Sequence, residues 1–123
     1  MNQNTLFYRQ IPDRYIKPDG HVASIAFLPM PKDKHMLSVY DGDKISASDA
    51  LVHFTETLGC SSVGVLAVTG AECENESLTF HEDYDEHPYH ALIDFSGKDD
   101  KACKKISEHL RAAAIRRGWL AQK

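Results

Sequence analysis

The residues best suited to chemistry lie close together in residues 80–95. This stretch holds three of the seven histidines and five carboxylates, among them His81, His87, His90, Asp83 and Asp85. Imidazole nitrogens and carboxylate oxygens are ligands for zinc and other divalent transition metals. The spacing His-x5-His-x2-His matches no metal-binding signature, however. The pattern therefore favours a solvated acidic loop over a metal site built from His81, His87 and His90.

General acid–base chemistry by His87 or His90 is a second interpretation of this stretch. Histidine titrates near neutral pH, and a neighbouring carboxylate can fix its tautomer. Arg9, Tyr8 and Ser24 can join such a site only if the sheet order brings their segments together. A cleft containing Arg9 and a histidine suits an anionic substrate such as a phosphate or a nucleotide. The alternative function is therefore a small hydrolase or transferase, with or without a metal.

The acidic segment 72–86 indicates a protein partner. It contains seven carboxylates and no lysine or arginine, so it is suited to contact with a basic surface. Aromatic residues nearby are typical anchors of such contacts. The residues predicted to contact the partner are Glu82, Asp83, Tyr84, Asp85, Glu86, Tyr89 and Trp119. The leading interpretation is a non-enzymatic protein-binding module, such as an accessory subunit or an immunity or antitoxin-like protein.

Charge is distributed unevenly along the chain. Residues 1–40 carry a net charge of +2, residues 41–97 carry −11 and residues 98–123 carry +5, for a total of −4. A nucleic-acid-binding domain usually has a basic surface, and the acidic middle opposes a polyanion. The basic residues near the C-terminus occupy the solvated side of an amphipathic helix. The sequence therefore disfavours nucleic acid as a partner.

The three cysteines predict reduced thiols. Cys60, Cys73 and Cys103 form no CxxC pair, which argues against both a disulfide framework and a thiolate zinc site. Residues 58–71 form a long run without a charge, and they are too short and too polar to span a bilayer. The first residues lack the pattern of a signal peptide. We therefore expect a cytoplasmic protein with no cofactor and no membrane partner.

Hydrophobic periodicity predicts a single α+β domain over residues 1–123. Alternating or β-branched runs predict strands, over residues 6–11, 21–28, 36–40, 62–69, 77–80 and 90–95. Apolar residues at helical spacing predict helices over residues 46–58 and 99–117, with a helical turn over 69–76. The predicted fold is a mixed or mainly antiparallel sheet of five to six strands, with two helices packed on one face. The order of the strands does not follow from these patterns.

Overall fold

The computed structural model describes residues 1–123 and contains one open sheet of six strands. The strands are β1 (Leu6–Ile11), β2 (Met36–Asp41), β3 (Gly64–Thr69), β4 (Thr79–Glu82), β5 (His90–Asp94) and β6 (Ala121–Gln122). Their order across the sheet is β4-β5-β2-β1-β3-β6, and every neighbouring pair is antiparallel. The predicted α+β class with a mainly antiparallel sheet is therefore confirmed.

Three α-helices connect these strands. They are α1 (Ala47–Val52), α2 (Gly70–Asn75) and α3 (Asp100–Arg117). Each begins at a capping residue, because the side chains of Ser46, Thr69 and Asp99 accept hydrogen bonds from backbone N–H groups of the first turn. After α1 the chain continues as a π-helical turn, His53–Thr57. No helix is both long enough and apolar enough to cross a membrane.

The helices cover both faces of the sheet. Leu66 and Val68 of β3 belong to the larger core, together with residues of α2 and α3. Val65 and Ala67, which point to the other face, pack with Leu51 of α1. The sequence pattern predicts α1 and α3 on the same face, whereas the structure pairs α2 with α3 and places α1 opposite. Because β3 is apolar on both sides, each face of the sheet must be covered by a helix.

Residues 21–28 form a turn where the alternation predicts an interior strand. Val22 makes only an isolated bridge to Ile16, and Ser24–Phe27 is a 3-10 helix. Ala26 and Phe27 are fully buried in the core that includes α3. A segment held between two layers is apolar on both sides whatever its backbone conformation, so hydrophobicity alone could not distinguish it from a strand.

The last strand, β6, lies outside the predicted elements. It is two residues long and pairs with the start of β3, which is too short for any periodic signal. Trp119 precedes it and is partly buried against the larger core. A Cβ at Gly64 would lie 2.8 Å from the indole ring of Trp119. Glycine at this position therefore allows the indole to pack against the backbone of β3.

Candidate functional site

A cleft opens in the middle of the sheet where β1 and β2 diverge. The two strands pair only at Phe7–Asp41 and Tyr8–Tyr40, although β1 pairs with β3 along its whole length. Beyond Tyr8 the space between the strands is a cleft of about 280 Å³. Side chains from β1, β2, β5, the β4–β5 loop and the turn after α1 line this space. The cleft is therefore built from segments that are distant in the sequence.

Arg9 lines the cleft and donates hydrogen bonds to backbone carbonyls of two other segments. Its Nε donates to the carbonyl of Ala26 at 2.7 Å and its Nη1 donates to the carbonyl of Ser38 at 2.9 Å. No carboxylate lies within ion-pairing distance of this guanidinium. Burial lowers the pKa of Arg9 from its usual value, although Tyr15 and Asp33 favour its charged form, and guanidinium remains charged in proteins. The cleft thus contains a partly desolvated cation that forms no ion pair.

His90 lies in the same cleft and is oriented by Asp83. Its Nδ1 is 3.0 Å from Oδ2 of Asp83, and its side chain is 12% exposed. An ionised carboxylate can only accept hydrogen bonds. Nδ1 therefore carries a proton and donates a hydrogen bond to Asp83. The other nitrogen, Nε2, then has a free lone pair. This is the arrangement that a carboxylate–histidine general base requires.

His87 has the opposite tautomer. Its Nδ1 accepts a hydrogen bond from the backbone N–H of Tyr89 at 3.1 Å, so the proton of the neutral ring is on Nε2. Burial, followed by repulsion from His90 and His53, lowers the pKa of His87 to about 4, although Asp83 opposes this shift. His87 is therefore neutral at pH 7 and presents an N–H donor.

Tyr40 and His53 pack against the ring of His87. Burial, followed by the nearby Cys60, raises the pKa of Tyr40, so its hydroxyl stays protonated. That hydroxyl forms a hydrogen bond with Nδ1 of His53 at 2.7 Å. The ring of His87 packs against those of Tyr40 and His53 at 4.9 Å and of His90 at 5.1 Å. The result is a continuous cluster of three imidazoles.

Sequence reasoning did not identify His53. The residue begins the π-helical turn after α1, and such turns are frequent at functional sites. No pattern in the sequence distinguishes a π-helical turn from an ordinary helical turn. The contact of His53 with His87 also depends on α1 packing beside β2 and the β4–β5 loop. We find no signal in the sequence that would have linked these two histidines.

The three histidines of the predicted metal set do not converge. His81 lies on β4 opposite Leu92 and is exposed. His87 is held above Tyr40 in the cleft, away from that edge of the sheet. No group of three or more His, Cys, Asp or Glu side chains in the structure has the geometry to hold a metal ion. A metal site of His81, His87 and His90 is therefore not assembled, because the strand pairing separates His81 from the loop.

The acidic residues predicted to bind a partner fall into two groups, those that form ion pairs within the chain and those that do not. Part of the acidic segment is engaged within the chain, since Glu72 pairs with Arg117, Glu76 with His109 and Asp83 with His90. The side chains of Glu82, Asp85 and Glu86 are exposed and form no ion pair.

The three predicted aromatic anchors lie in different places. The hydroxyl of Tyr84 donates to buried Asp41 at 2.6 Å. Tyr89 packs edge-on against His53 at 5.2 Å. Trp119 packs near β3 and β6, at the opposite edge of the sheet from β4. Only the first two can therefore lie near the exposed carboxylates of the β4–β5 loop.

The structure brings the predicted catalytic residues Arg9, His87 and His90 into one cleft, together with Tyr8. Ser24 does not line this cleft, and its turn, Ser24–Phe27, contacts Arg9 through the backbone carbonyl of Ala26 instead. The chain matches no protein-family model, and neither a curated protein nor a solved structure was found to be similar to it.

Proposed function

We propose that the chain is a small hydrolase or transferase that binds a phosphate-type anion in the cleft. The observation that carries this proposal is the placement of Arg9 in the same cleft as the Asp83–His90 pair. One group supplies a positive charge that forms no ion pair, and the other supplies a general base. Both are fixed by hydrogen bonds to the protein, as a preorganised site requires.

The charge of Arg9 favours an anionic ligand. Buried charges in proteins are usually paired, yet this guanidinium donates to two backbone carbonyls and forms no ion pair, although the charge of Asp33 favours its charged form. Its remaining N–H groups are suited to the oxygens of a phosphate. Arg14 also lines the cleft, and Glu86, the one carboxylate in the lining, is exposed. The local charge of the site is thus positive in a chain that is acidic overall.

The geometry at His90 favours proton abstraction. Nε2 would take a proton from a water molecule or a substrate hydroxyl, whose oxygen then forms a bond to phosphorus. The bond from phosphorus to the leaving oxygen breaks, and the proton passes from His90 to that oxygen or to solvent. Asp83 stabilises the imidazolium during this step. His87, as a neutral N–H donor, would bind a non-bridging oxygen as its negative charge grows.

Arg9→Met tests the proposal. We expect isothermal titration with inorganic phosphate at pH 7 to show binding to the wild-type protein and a loss of roughly tenfold or more for Arg9→Met, because a charge-assisted hydrogen bond is removed. Arg9→Lys should retain part of the affinity. Arg116→Met, which changes an exposed arginine outside the cleft, is the control. Equal phosphate binding by the wild type and Arg9→Met would contradict the proposal.

His90→Gln separates binding from turnover. Because the substitution removes the base and leaves Arg9 in place, phosphate affinity should change little. Hydrolysis of p-nitrophenyl phosphate or of its bis-ester should fall by about 10²–10⁴-fold, the range expected for a general base. Thermal unfolding curves for all variants would show that each one is folded.

A protein partner remains a second candidate, favoured by the position of β4 at the sheet edge. The free N–H and C=O groups of an edge strand can pair with an extended segment of another protein. Glu82 and Asp85 lie beside this edge, are exposed and form no ion pair, so a basic segment suits it. Glu82→Lys/Asp85→Lys should abolish co-purification of a basic protein from the native host and leave phosphate binding intact. A wild-type chain that purifies alone would argue against this candidate.

A further inference from the structure

Gln10 carries the one buried side-chain nitrogen or oxygen atom that has no hydrogen-bond partner. Its Nε2 donates to the carbonyl of Ala50 at 3.1 Å, which fixes the orientation of the amide, and its Oε1 accepts nothing. Gln10 is only 5% exposed. A buried acceptor without a donor is costly, and such groups in native proteins require an explanation.

This orphan oxygen belongs to a residue of the cleft. Gln10 extends from the same face of β1 as Tyr8, because side chains alternate along a strand, and both line the cleft. The neighbouring lining is largely aromatic or apolar and includes Tyr40, Phe54 and Leu58. The lining therefore combines Arg9 and the histidines with an aromatic wall of Tyr40 and Phe54, and Oε1 of Gln10 is an unpaired acceptor buried beneath its surface.

We infer that the ligand is a nucleoside monophosphate or a close analogue, with an N–H donor on its base that is read by Gln10. The phosphate would bind at Arg9 and His87, as in the function proposed above, on which this inference rests. The planar base would lie against the aromatic wall, since stacking suits every base. An exocyclic amino group of the base would donate to Oε1 of Gln10. Recognition of a base by an amide side chain is common in proteins that read nucleotides.

The cleft is small, so it limits the size of the ligand. Its volume of about 280 Å³ lies just below the range for small-molecule sites, roughly 300–1,000 Å³. Oε1 is covered in this structure, so contact with a ligand requires a side-chain rotation in the wall. Leu58, which is 43% exposed, and half-buried Phe54 are the apolar lining residues with the most space for such a rotation. A single nucleotide unit is therefore the largest ligand that suits the cleft, and its binding requires this local rearrangement.

A matched pair of ligands tests the inference. AMP and purine riboside 5′-monophosphate differ only in the exocyclic amino group. We expect titration calorimetry to show AMP bound roughly tenfold more tightly by the wild-type protein, because the analogue leaves the acceptor unpaired. Gln10→Leu should bind both equally and should bind inorganic phosphate as the wild type does. Gln10→Met, which preserves side-chain length, repeats the test if Gln10→Leu does not fold.

The outcomes separate this inference from the function on which it rests. Equal binding of the two nucleotides by the wild-type protein, with phosphate binding that is lost in Arg9→Met, would overturn the role of Gln10 and leave the anion site standing. A preference for AMP that persists in both Gln10 variants would also overturn it. Failure of phosphate and both nucleotides to bind would overturn the proposed function and this inference together.

Discussion

Three histidines in contact have three different hydrogen-bonding partners. His90 donates to a carboxylate, His53 forms a hydrogen bond with a tyrosine hydroxyl and His87 accepts from a backbone N–H. The carboxylate and the backbone N–H fix the tautomers of His90 and His87, as the second partner of a functional histidine usually does. His87 lies against both other imidazoles, so a positive charge on it is the least favourable. The cluster therefore works best with His87 neutral.

This arrangement predicts a pH-dependent stability. The unfolded chain binds a proton at His87 near pH 6.5, and the folded chain binds it near pH 4. Between these values the folded state holds fewer protons, so the free energy of unfolding falls as the pH falls through this window. His87→Gln should remove part of that fall, and urea unfolding across the window measures it. The control His81→Gln, which removes an exposed histidine that forms no ion pair, should retain the wild-type slope. A wild-type slope for His87→Gln would contradict the prediction.

At the scale of elements, Arg117 connects three pieces of secondary structure. Near the end of α3, its guanidinium donates to both carboxylate oxygens of Glu72 at 3.0 and 3.1 Å and to the carbonyl of Ala67 at 2.8 Å. Burial alone would raise the pKa of Glu72, but hydrogen bonds from Arg117 and from the backbone of Thr69 outweigh it, and the pKa is lowered. The contact thus connects α3 to α2 and β3.

Arg117→Met should destabilise the fold by about 1–2 kcal/mol, the lower part of the range for charged hydrogen bonds, because both side chains are 25% exposed. Arg116→Met, one residue earlier and exposed, should change stability by less than about 0.5 kcal/mol. Chemical unfolding at pH 7 measures both. Because the pKa of Glu72 is lowered in the folded state, the difference should shrink as the pH falls through that pKa. Equal changes in the free energy of unfolding for Arg117→Met and Arg116→Met would show that the contact between Arg117 and Glu72 does not stabilise the fold.

In the whole molecule, the strand order determines which charged residues pair with each other and which candidate catalytic residues share the cleft. The acidic middle of the chain and its basic end contact each other through Glu72–Arg117 and Glu76–His109. Part of the uneven charge is therefore used within the fold, and fewer carboxylates are free for a partner. The cleft lies between the central strands β1 and β2, and helices pack on both faces of the sheet. Arg9 and His90 belong to strands, which hold a side chain more precisely than a loop does, whereas Asp83 and His87 belong to the β4–β5 loop.

Local patterns in the sequence correctly predicted most of the elements. The capping residues Ser46, Thr69 and Asp99 mark helix starts through hydrogen bonds that span only three residues. The apolar runs of β3 and β5 mark buried strands. The segment 21–28 was mistaken for a strand because burial between two layers produces the same composition, and β6 was missed because two residues have no periodicity.

The sequence by itself determined the α+β class, the helix boundaries and the chemically capable residues, including Arg9, His87 and His90. Only the tertiary structure decided which of them meet. The pairing of β2 with both β1 and β5 brings Arg9 into the same cleft as two histidines that lie about eighty residues away in the chain. The pairing of β4 with β5 places His81 on the edge strand, outside the cleft. Capping and periodicity are determined by near neighbours in the chain, whereas the cleft depends on the order of strands, which no local pattern encodes.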